Sequence, residues 1–169
     1  MDVITVRPAD LDGSDNAAVG RLVEAYLRQT ESEKALHLGE GAVDAHELPE
    51  RYRNEVDDPR RAYADSVVSV AEANGSLVGL VVVQQNEVAR EIKRLWVDPR
   101  ARGLRVGSKL IDAALCRRDL PIRLTVWDWR HDALRLYAAR GFDVVESWDD
   151  RPRLLCMQFE PNRAADLDE

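Results

Sequence analysis

Residues Arg90–Leu115, with the sequence REIKRLWVDPRARGLRVGSKLIDAAL, decide the fold of this chain. Within them, Glu91–Val97 mixes β-branched and apolar residues with charged ones, which is typical of a half-buried strand. Pro99 ends that strand because proline cannot donate a hydrogen bond to a sheet. From Val106 onward, apolar residues recur at helical spacing. The stretch therefore predicts a strand, a short loop and a helix, with the strand at the centre of the sheet.

The loop between this strand and this helix carries the first functional signal. It contains Arg100, Arg102, Gly103 and Arg105, and Gly107 follows at the start of the helix. A helix N-terminus offers unpaired N–H groups and a partial positive charge, and the arginines add to it. The spacing matches neither the Walker A loop nor the G-x-G-x-x-G fingerprint. We predict an anion site suited to phosphate; the alternative is a charged surface loop that caps a core helix.

The loop resembles motif A of the GNAT superfamily, the acyl-CoA-dependent N-acyltransferases. That family has [RQ]-x-x-G-x-[GA] at this turn, where backbone amides hold the pyrophosphate of coenzyme A. Here the hexad is RGLRVG, so its first arginine and last glycine match, and Arg105 replaces the usual glycine. Arginine is itself a phosphate ligand. The resemblance implies acetyl-CoA as co-substrate, bound by Arg102, Gly103, Leu104, Arg105, Val106, Gly107 and Ser108.

A second stretch, Leu124–Phe142, supports the same resemblance. Its sequence, LTVWDWRHDALRLYAARGF, is similar to the family pattern L-x-V-x-x-x-N-x-x-A-x-x-L-Y-x-x-x-G-F. Arg130 stands in place of the asparagine that contacts the cofactor arm in the family. We expect Arg130 to bind the cofactor through a phosphate instead.

The resemblance also implies how acyl transfer would proceed. The acceptor amine must lose a proton before it attacks the thioester, and the leaving thiolate must then be neutralised. Glu91 stands where many members carry a catalytic glutamate, and Tyr137 is the expected general acid. The backbone of Leu95, Trp96 and Val97 would pair with the pantetheine arm and polarise the thioester carbonyl. The structural alternatives are a salt-bridged strand glutamate for Glu91 and a core tyrosine for Tyr137.

Aromatic residues are the candidates for acceptor contact. Trp127 and Trp129 follow the strand that ends near Val126, where neighbouring strands would separate, and Tyr26 lies in the first helix. In GNAT proteins the segment between the first two helices commonly forms one wall of the acceptor site. This adds the weaker candidates His37, His46 and Tyr52. Each of these residues has the alternative of ordinary packing.

Hydrophobic periodicity and turn signals predict the remaining elements. The predicted fold class is α/β with a mixed sheet of about seven strands and about four helices on both faces, similar to the GNAT fold. Residues 1–160 would form one domain, and 161–169 a flexible acidic tail. The predicted strands and helices are a strand at Val3–Arg7, a helix at Asn16–Thr30, a polar connector over Glu31–Ala45 whose start could continue that helix, a weaker helix at Glu47–Val56, a hairpin from Ser66 to Gln85 around Asn74-Gly75, strands at Pro121–Val126, Phe142–Ser147 and Leu154–Phe159, and a helix at Asp132–Arg140.

The composition of the chain indicates which kinds of partner the protein would bind and which it would not. The formal net charge of -7 argues against nucleic-acid binding and mildly favours a cationic partner. No apolar run is long enough for a membrane span, and the N-terminus lacks a signal-peptide pattern. Cys116 and Cys156 have no metal-ligand spacing and fit no disulfide framework. We therefore expect two buried thiols, no metal and a cytoplasmic location.

Three functions follow from these observations. The leading hypothesis is an N-acetyltransferase that uses acetyl-CoA on a small-molecule or peptide amine. The second is a protein acetyltransferase that acts on an N-terminus or a lysine. The third is a non-catalytic acyl-CoA-binding sensor or interaction module. The presence of both Glu91 and Tyr137 favours an enzyme over a sensor. The sequence does not fix the oligomeric state, and a homodimer is only what the family often forms.

Overall fold

A seven-stranded mixed sheet forms the centre of the protein in the computed structural model, which describes residues 3–39, 47–117 and 119–161. Its spatial order is β1-β2-β3-β4-β5-β7-β6, and every neighbouring pair is antiparallel except β4–β5. The strand from the deciding stretch is therefore the middle one, as predicted. The strands are β1 Ile4–Pro8, β2 Ser66–Ala73, β3 Ser76–Gln85, β4 Arg90–Val97, β5 Ile122–Trp127, β6 Asp143–Val145 and β7 Leu154–Phe159.

Helices cover both faces of this sheet, which confirms the predicted fold class. Helices α1 to α3 pack on one face around a buried cluster that includes Val23 and Trp96. Helices α4 and α5 pack on the other face around a cluster that includes Leu110 and Tyr137. The described helices are α1 Asp15–Leu38, α2 Arg53–Asp57, α3 Pro59–Ala62, α4 Val106–Ala114 and α5 His131–Ala139, with short 3-10 turns at Glu50–Tyr52 and Pro99–Ala101.

The hairpin between β2 and β3 forms where the sequence predicts it. Asn74 and Gly75 both have positive φ angles, +50° and +78°, as a two-residue turn between twisted strands requires. Further along β3, Gly79 lies directly under α4. A Cβ atom there would come within 2.9 Å of the Trp96 carbonyl oxygen and 3.0 Å of Leu110 Cδ1. The glycine thus lets α4 pack closely on the sheet next to the strand that decides the fold.

The first helix is longer than predicted. The sequence indicated an end near Thr30 and a connector whose start could continue the helix. In the structure α1 continues to Leu38 and ends at Gly39, whose φ is +64°. The apolar stripe stops at Leu27 because the last turns of α1 do not pack on the sheet. Their polar residues are held by pairs one turn apart, such as Gln29 Nε2 donating to Glu33 Oε1 at 2.9 Å.

Other predictions need smaller corrections. The helix predicted at Glu47–Val56 is a 3-10 turn followed by α2, and Pro59 begins α3 because proline fits the first position of a helix. Cys116 is exposed, since α4 already ends at Ala114, while Cys156 is buried as predicted. His46, most of the predicted acidic tail and the connector at 40–46 lie outside the described residues.

Candidate active site

The site begins where the two parallel strands at the middle of the sheet separate. Strands β4 and β5 pair over Arg90–Ile92 and Ile122–Leu124. Beyond these residues, Leu95–Val97 stays paired with β3 but diverges from β5. A strand that loses its neighbour presents unpaired backbone donors and acceptors along that edge. The gap opens into two cavities that meet at Leu95, Arg130 and Ala133, which line both.

The larger cavity, which we term the cleft, has a volume of about 900 Å³. It lies between the end of β4, the start of α4 and the start of α5. Most of the predicted cofactor-binding residues line it, and Leu104 does not. The predicted residues that line the cleft are Leu95, Trp96, Val97, Arg102, Gly103, Arg105, Val106, Gly107, Ser108 and Arg130, and the predicted acceptor residue Trp129 joins them.

The N-terminus of α4 opens into the cleft. Its cap residue, Arg105, makes no side-chain capping bond. The first helical hydrogen bond at this end runs from the Lys109 N–H to the Arg105 carbonyl oxygen, at 3.1 Å. The N–H groups of Val106, Gly107 and Ser108 therefore have no partner within the helix and line the cleft. The uncapped N-terminus of this nine-residue helix therefore attracts an anion.

The loop before α4 has the backbone that its sequence pattern implies. Gly103 has a φ of +84°, and Arg105 has a φ of +61° although it carries a side chain. Arg105 thus adopts a left-handed conformation that a glycine takes without strain. Arg102 lies over the Trp96 ring at 5.2 Å and donates to Gln29 Oε1 at 3.3 Å, which orients its guanidinium along the cleft wall. The loop therefore contributes two cations to the cleft.

The smaller cavity, which we term the inner cavity, has a volume of about 150 Å³. Tyr137 lines it and is otherwise buried against the core, with its ring edge-on to Phe142. Burial, together with the nearby Tyr26, raises the pKa of Tyr137 above its usual range, and the charge of Arg130 opposes this only in part. The phenol is therefore protonated at neutral pH. Tyr26, Tyr52 and Trp127 line the same cavity, and their contact with an acceptor stays a prediction.

Arg130 lies at the boundary between the two cavities. Its Nε donates to Glu33 Oε2 at 2.8 Å and its Nη2 donates to Thr30 Oγ1 at 2.7 Å. Burial alone would raise the pKa of Glu33, but hydrogen bonds from Gln29 and Arg130 and the positive charge of Arg130 hold that pKa below its usual value. The Arg130 guanidinium also lies 5.4 Å from the Tyr26 ring. The predicted phosphate contact of Arg130 stays a prediction.

Trp127 and Trp129 belong to a stack of three rings at the C-terminal end of α1. The two indoles lie parallel at 4.8 Å, and the His37 imidazole stacks on Trp129 at 4.5 Å. Arg153 lies over Trp129 and donates to the His37 carbonyl oxygen at 3.3 Å. Trp127 reaches the inner cavity and Trp129 reaches the cleft. This stack therefore fixes one wall of each cavity.

Glu91 lies beside the site rather than in it. It is half-buried on β4 and its Oε1 lies 3.0 Å from Lys93 Nζ. Its neighbours Ile92 and Lys93 line the inner cavity, and Glu91 lines neither cavity. A strand bulge between Val82 and Val83, opposite this part of β4, shifts the register there. Its role as general base stays a prediction.

Several lining residues carry no motif and were missed from the sequence. Thr30 lies at the predicted end of the first helix, and Glu33 and Lys34 lie on the part of α1 that was predicted as a connector. Arg94, which also lines the inner cavity, donates through Nε to Glu55 Oε1 at 3.1 Å and so fastens α2 to β4. The one available signal was the Gln29–Glu33 spacing of four residues, which favours a continued helix.

A comparison with protein families gives a direct match to this part of the chain. Residues 64–144, from just before β2 into β6, match the model of the Acetyltransferase (GNAT) domain. This range contains the strand separation, the start of α4 and Tyr137. No curated protein matches the sequence.

Residues 64–144 match a GNAT acetyltransferase domain. The resemblance found in the sequence is confirmed, and an acyltransferase is indicated.

Solved structures show the same GNAT fold over nearly the whole chain. An acetyltransferase of the GNAT family from Staphylococcus aureus has a TM-score of 0.65 and 14% identity, covering 93% of this chain and 98% of that one. The PaiA N-acetyltransferase from Thermoplasma acidophilum, in complex with coenzyme A, has a TM-score of 0.63 and 18% identity, covering 94% and 99%. A GNAT acetyltransferase from Elizabethkingia anophelis with acetyl-CoA bound has a TM-score of 0.60 and 13% identity, covering 93% and 97%.

Two further observations concern the described part of the chain. None of its described helices is long and apolar enough to cross a membrane. Over residues 3–39, 47–117 and 119–161, no group of three or more His, Cys, Asp or Glu side chains is placed to hold a metal ion.

Proposed function

We propose that this protein is an N-acetyltransferase that moves an acetyl group from acetyl-CoA to the primary amine of an acceptor by direct attack. The observation that carries the proposal is the meeting of two cavities where β4 and β5 separate. One cavity has the size and charge for a large phosphorylated cofactor. The other is small and contains a buried, protonated tyrosine. A reaction at their junction would bring one reactant from each side.

The residues of the cleft fit coenzyme A. The unpaired N–H groups of Val106, Gly107 and Ser108 would hold its pyrophosphate, with the guanidiniums of Arg102 and Arg105 adding charge. The open edge of β4 at Leu95–Val97 would pair with the amides of the pantetheine arm. When bound there, acetyl-CoA supplies the acetyl thioester. A backbone N–H of this edge would polarise the thioester carbonyl.

Tyr137 would donate the proton that the departing sulfur needs. Its hydroxyl forms no hydrogen bond with any described residue, and its side chain lines the inner cavity beside the junction residues Ala133 and Arg130. The phenol is protonated at neutral pH and so has a proton to give. Because a thiol is a stronger acid than a phenol, the transfer would take place while the carbon–sulfur bond breaks. The charge of Arg130 would stabilise the phenolate until it regains a proton from solvent. Tyr137 thus neutralises the leaving group without any metal or covalent intermediate on the protein.

Glu91 is our candidate for the base that accepts the acceptor proton. It would act through water, because Ile92 and Lys93 line the inner cavity while Glu91 itself does not. Its ion pair with Lys93 holds the carboxylate close to a residue that lines the inner cavity. Of the described residues that line the inner cavity, none is a carboxylate or a histidine, so a water-mediated route is the one that supports this role.

Calorimetric titration with acetyl-CoA, CoA and ATP tests the first half of this proposal. We expect micromolar, selective binding of acetyl-CoA and CoA, and equal or tighter binding of ATP would contradict it. A screen of primary amines for CoA-thiol release then tests the second half. Release with small amines supports the proposed enzyme. Release only with peptides would favour the protein acetyltransferase, and binding without any release would favour the acyl-CoA sensor.

A further inference from the structure

The walls of the inner cavity carry an excess of positive charge. Five of the described residues that line it are cations, and none of the described lining residues is an aspartate or glutamate. This local charge is opposite to the net charge of the chain, which is -7. The five cations are Lys34, Lys93, Arg94, Arg130 and Arg151.

Each of these cations is held by a carboxylate that does not line the inner cavity. Lys34 pairs with Glu31 at 3.3 Å, and Arg151 pairs with Asp149 at 2.8 Å. The remaining pairs join Lys93 to Glu91, Arg94 to Glu55 and Arg130 to Glu33. The five cations thus belong to the lining of the cavity, and their paired carboxylates do not. Because a guanidinium has five N–H donors and an ammonium three, the cations can bind a further anion without giving up these pairs.

The size of the inner cavity limits what can enter it. A cavity of about 150 Å³ is comparable to one that takes up a molecule of the size of benzene. Lys34 and Arg151 line this cavity but not the cleft, whereas Leu95, Arg130 and Ala133 line both. An anionic group next to Lys34 and Arg151 would therefore lie on the side away from the cleft. The other end of a small molecule would then reach the junction.

We propose that the acceptor is a small amino carboxylate, with its carboxylate bound by Lys34 and Arg151 and its amine directed toward Tyr137. This inference rests on the proposed acetyl transfer. In that reaction the ammonium first loses one proton to the base, and the nitrogen then forms a bond to the acetyl carbon. The nitrogen loses a second proton as the carbon–sulfur bond breaks, and the sulfur takes one proton, so that one proton is released in all.

The same cations explain how the amine would become reactive. Positive charges near an amine disfavour its protonated form, so these cations would lower the pKa of the bound ammonium. The carboxylate of the acceptor compensates for the cost of placing that ammonium among cations. An acceptor with amines alone, such as a polyamine, would meet positive charge without such compensation.

Matched acceptors test this inference. CoA-thiol release is measured with glycine and L-alanine, with their carboxamides, and with spermidine. The amines of the carboxamides are less basic, so a larger fraction of them is unprotonated and able to attack at neutral pH. We nevertheless expect kcat/KM to be at least about tenfold higher for the carboxylates, as the loss of one charge-assisted bond would give. Equal or higher values for the carboxamides or spermidine would overturn the inference and leave the acetyltransferase function standing.

Variants and a binding measurement separate the two claims. In Arg151→Met, the carboxylate preference should fall several-fold, while Arg153→Met, which contacts Trp129 outside the inner cavity, should keep it. Calorimetry in the presence of CoA compares N-acetylglycine with N-acetylglycinamide. Tighter binding of N-acetylglycine that is lost in Arg151→Met, without thiol release from any amine, would support the anion site and refute the transferase. Equal binding of both without thiol release would overturn both claims.

Discussion

The guanidinium of Arg130 donates to the Glu33 carboxylate at 2.8 Å, and this ion pair joins the start of α5 to the C-terminal half of α1. Both side chains are about four-fifths buried, with exposed fractions of 18% and 23%. The pair stands between the cleft and the inner cavity, which Arg130 lines on both sides. It therefore links the stability of the wall of the site to the charge state of one carboxylate.

The first prediction concerns the pH dependence of stability at Glu33. Its pKa is lowered in the folded state, so its contribution is complete above the unfolded-state value and is lost as pH falls through the folded value. Wild type should thus exceed Glu33→Gln in Tm at pH 7, and the difference should shrink below about pH 4.3, the usual pKa of a glutamate. Thermal unfolding between pH 3 and pH 7 measures this. A difference that does not change with pH would refute the ion pair as its source.

The second prediction concerns the hydroxyl of Tyr137. In Tyr137→Phe, kcat should fall by roughly 10²-fold or more, because general acid catalysis is typically worth that much. The dissociation constant for CoA should stay nearly the same, since Tyr137 lines the inner cavity and not the cleft. The Tm should change little, because the hydroxyl bonds no described residue. An unchanged kcat would exclude Tyr137 as the acid.

The third prediction concerns Arg102 in the cleft. Arg102→Ala should weaken CoA binding by about 1–3 kcal/mol, as the loss of a charge-assisted hydrogen bond would. Arg100→Ala is the matched control, because Arg100 is on the same loop but is exposed, pairs with Asp98 and does not line the cleft. It should change binding by less than about 0.5 kcal/mol. Equal effects in the two variants would place the phosphates elsewhere.

The fourth prediction concerns the left-handed backbone at Arg105. Arg105→Gly and Arg105→Ala both remove the charge, so both should weaken CoA binding to a similar extent. Only alanine keeps a Cβ at a φ of +61°. The alanine variant should therefore be less stable than the glycine variant, by about 1 kcal/mol or somewhat less once the greater chain entropy of glycine is included. Chemical denaturation compares the two, and equal stabilities would show that the loop changes conformation.

The elements around the cofactor loop could be predicted from the sequence, and the end of α1 could not. Strand β4, the loop and α4 have apolar periodicity because their apolar side chains fill the core, and the Asn74-Gly75 turn has its own backbone signature. The last turns of α1 instead carry Thr30, Glu33 and Lys34, which face cavities and other side chains. A helix that lines a polar cavity loses the apolar stripe by which helices are recognised.

The residues of the candidate site likewise fall into those that the sequence predicts and those that it does not. Tyr137 and the loop from Arg102 to Ser108 belong to motifs with fixed spacing, and the structure places Tyr137 and most of that loop at the two cavities. Lys34, Arg94 and Arg151 lie far apart in the sequence and meet only because α1, β4 and the segment before β7 converge on one space. Nothing local distinguishes them from surface cations, so their shared position could not be inferred before the fold was known.

The separation of β4 from β5 has a consequence for hydrogen exchange. Backbone amides of β4 that point toward the gap have no sheet partner after Ile92, although they lie in the middle of a seven-stranded sheet. In the free protein they should exchange with solvent deuterium far faster than the neighbouring amides that bond to β3. Occupation of the gap by an extended arm would slow them selectively. The centre of the sheet would thus report ligand binding by itself, without a label or an assay of turnover.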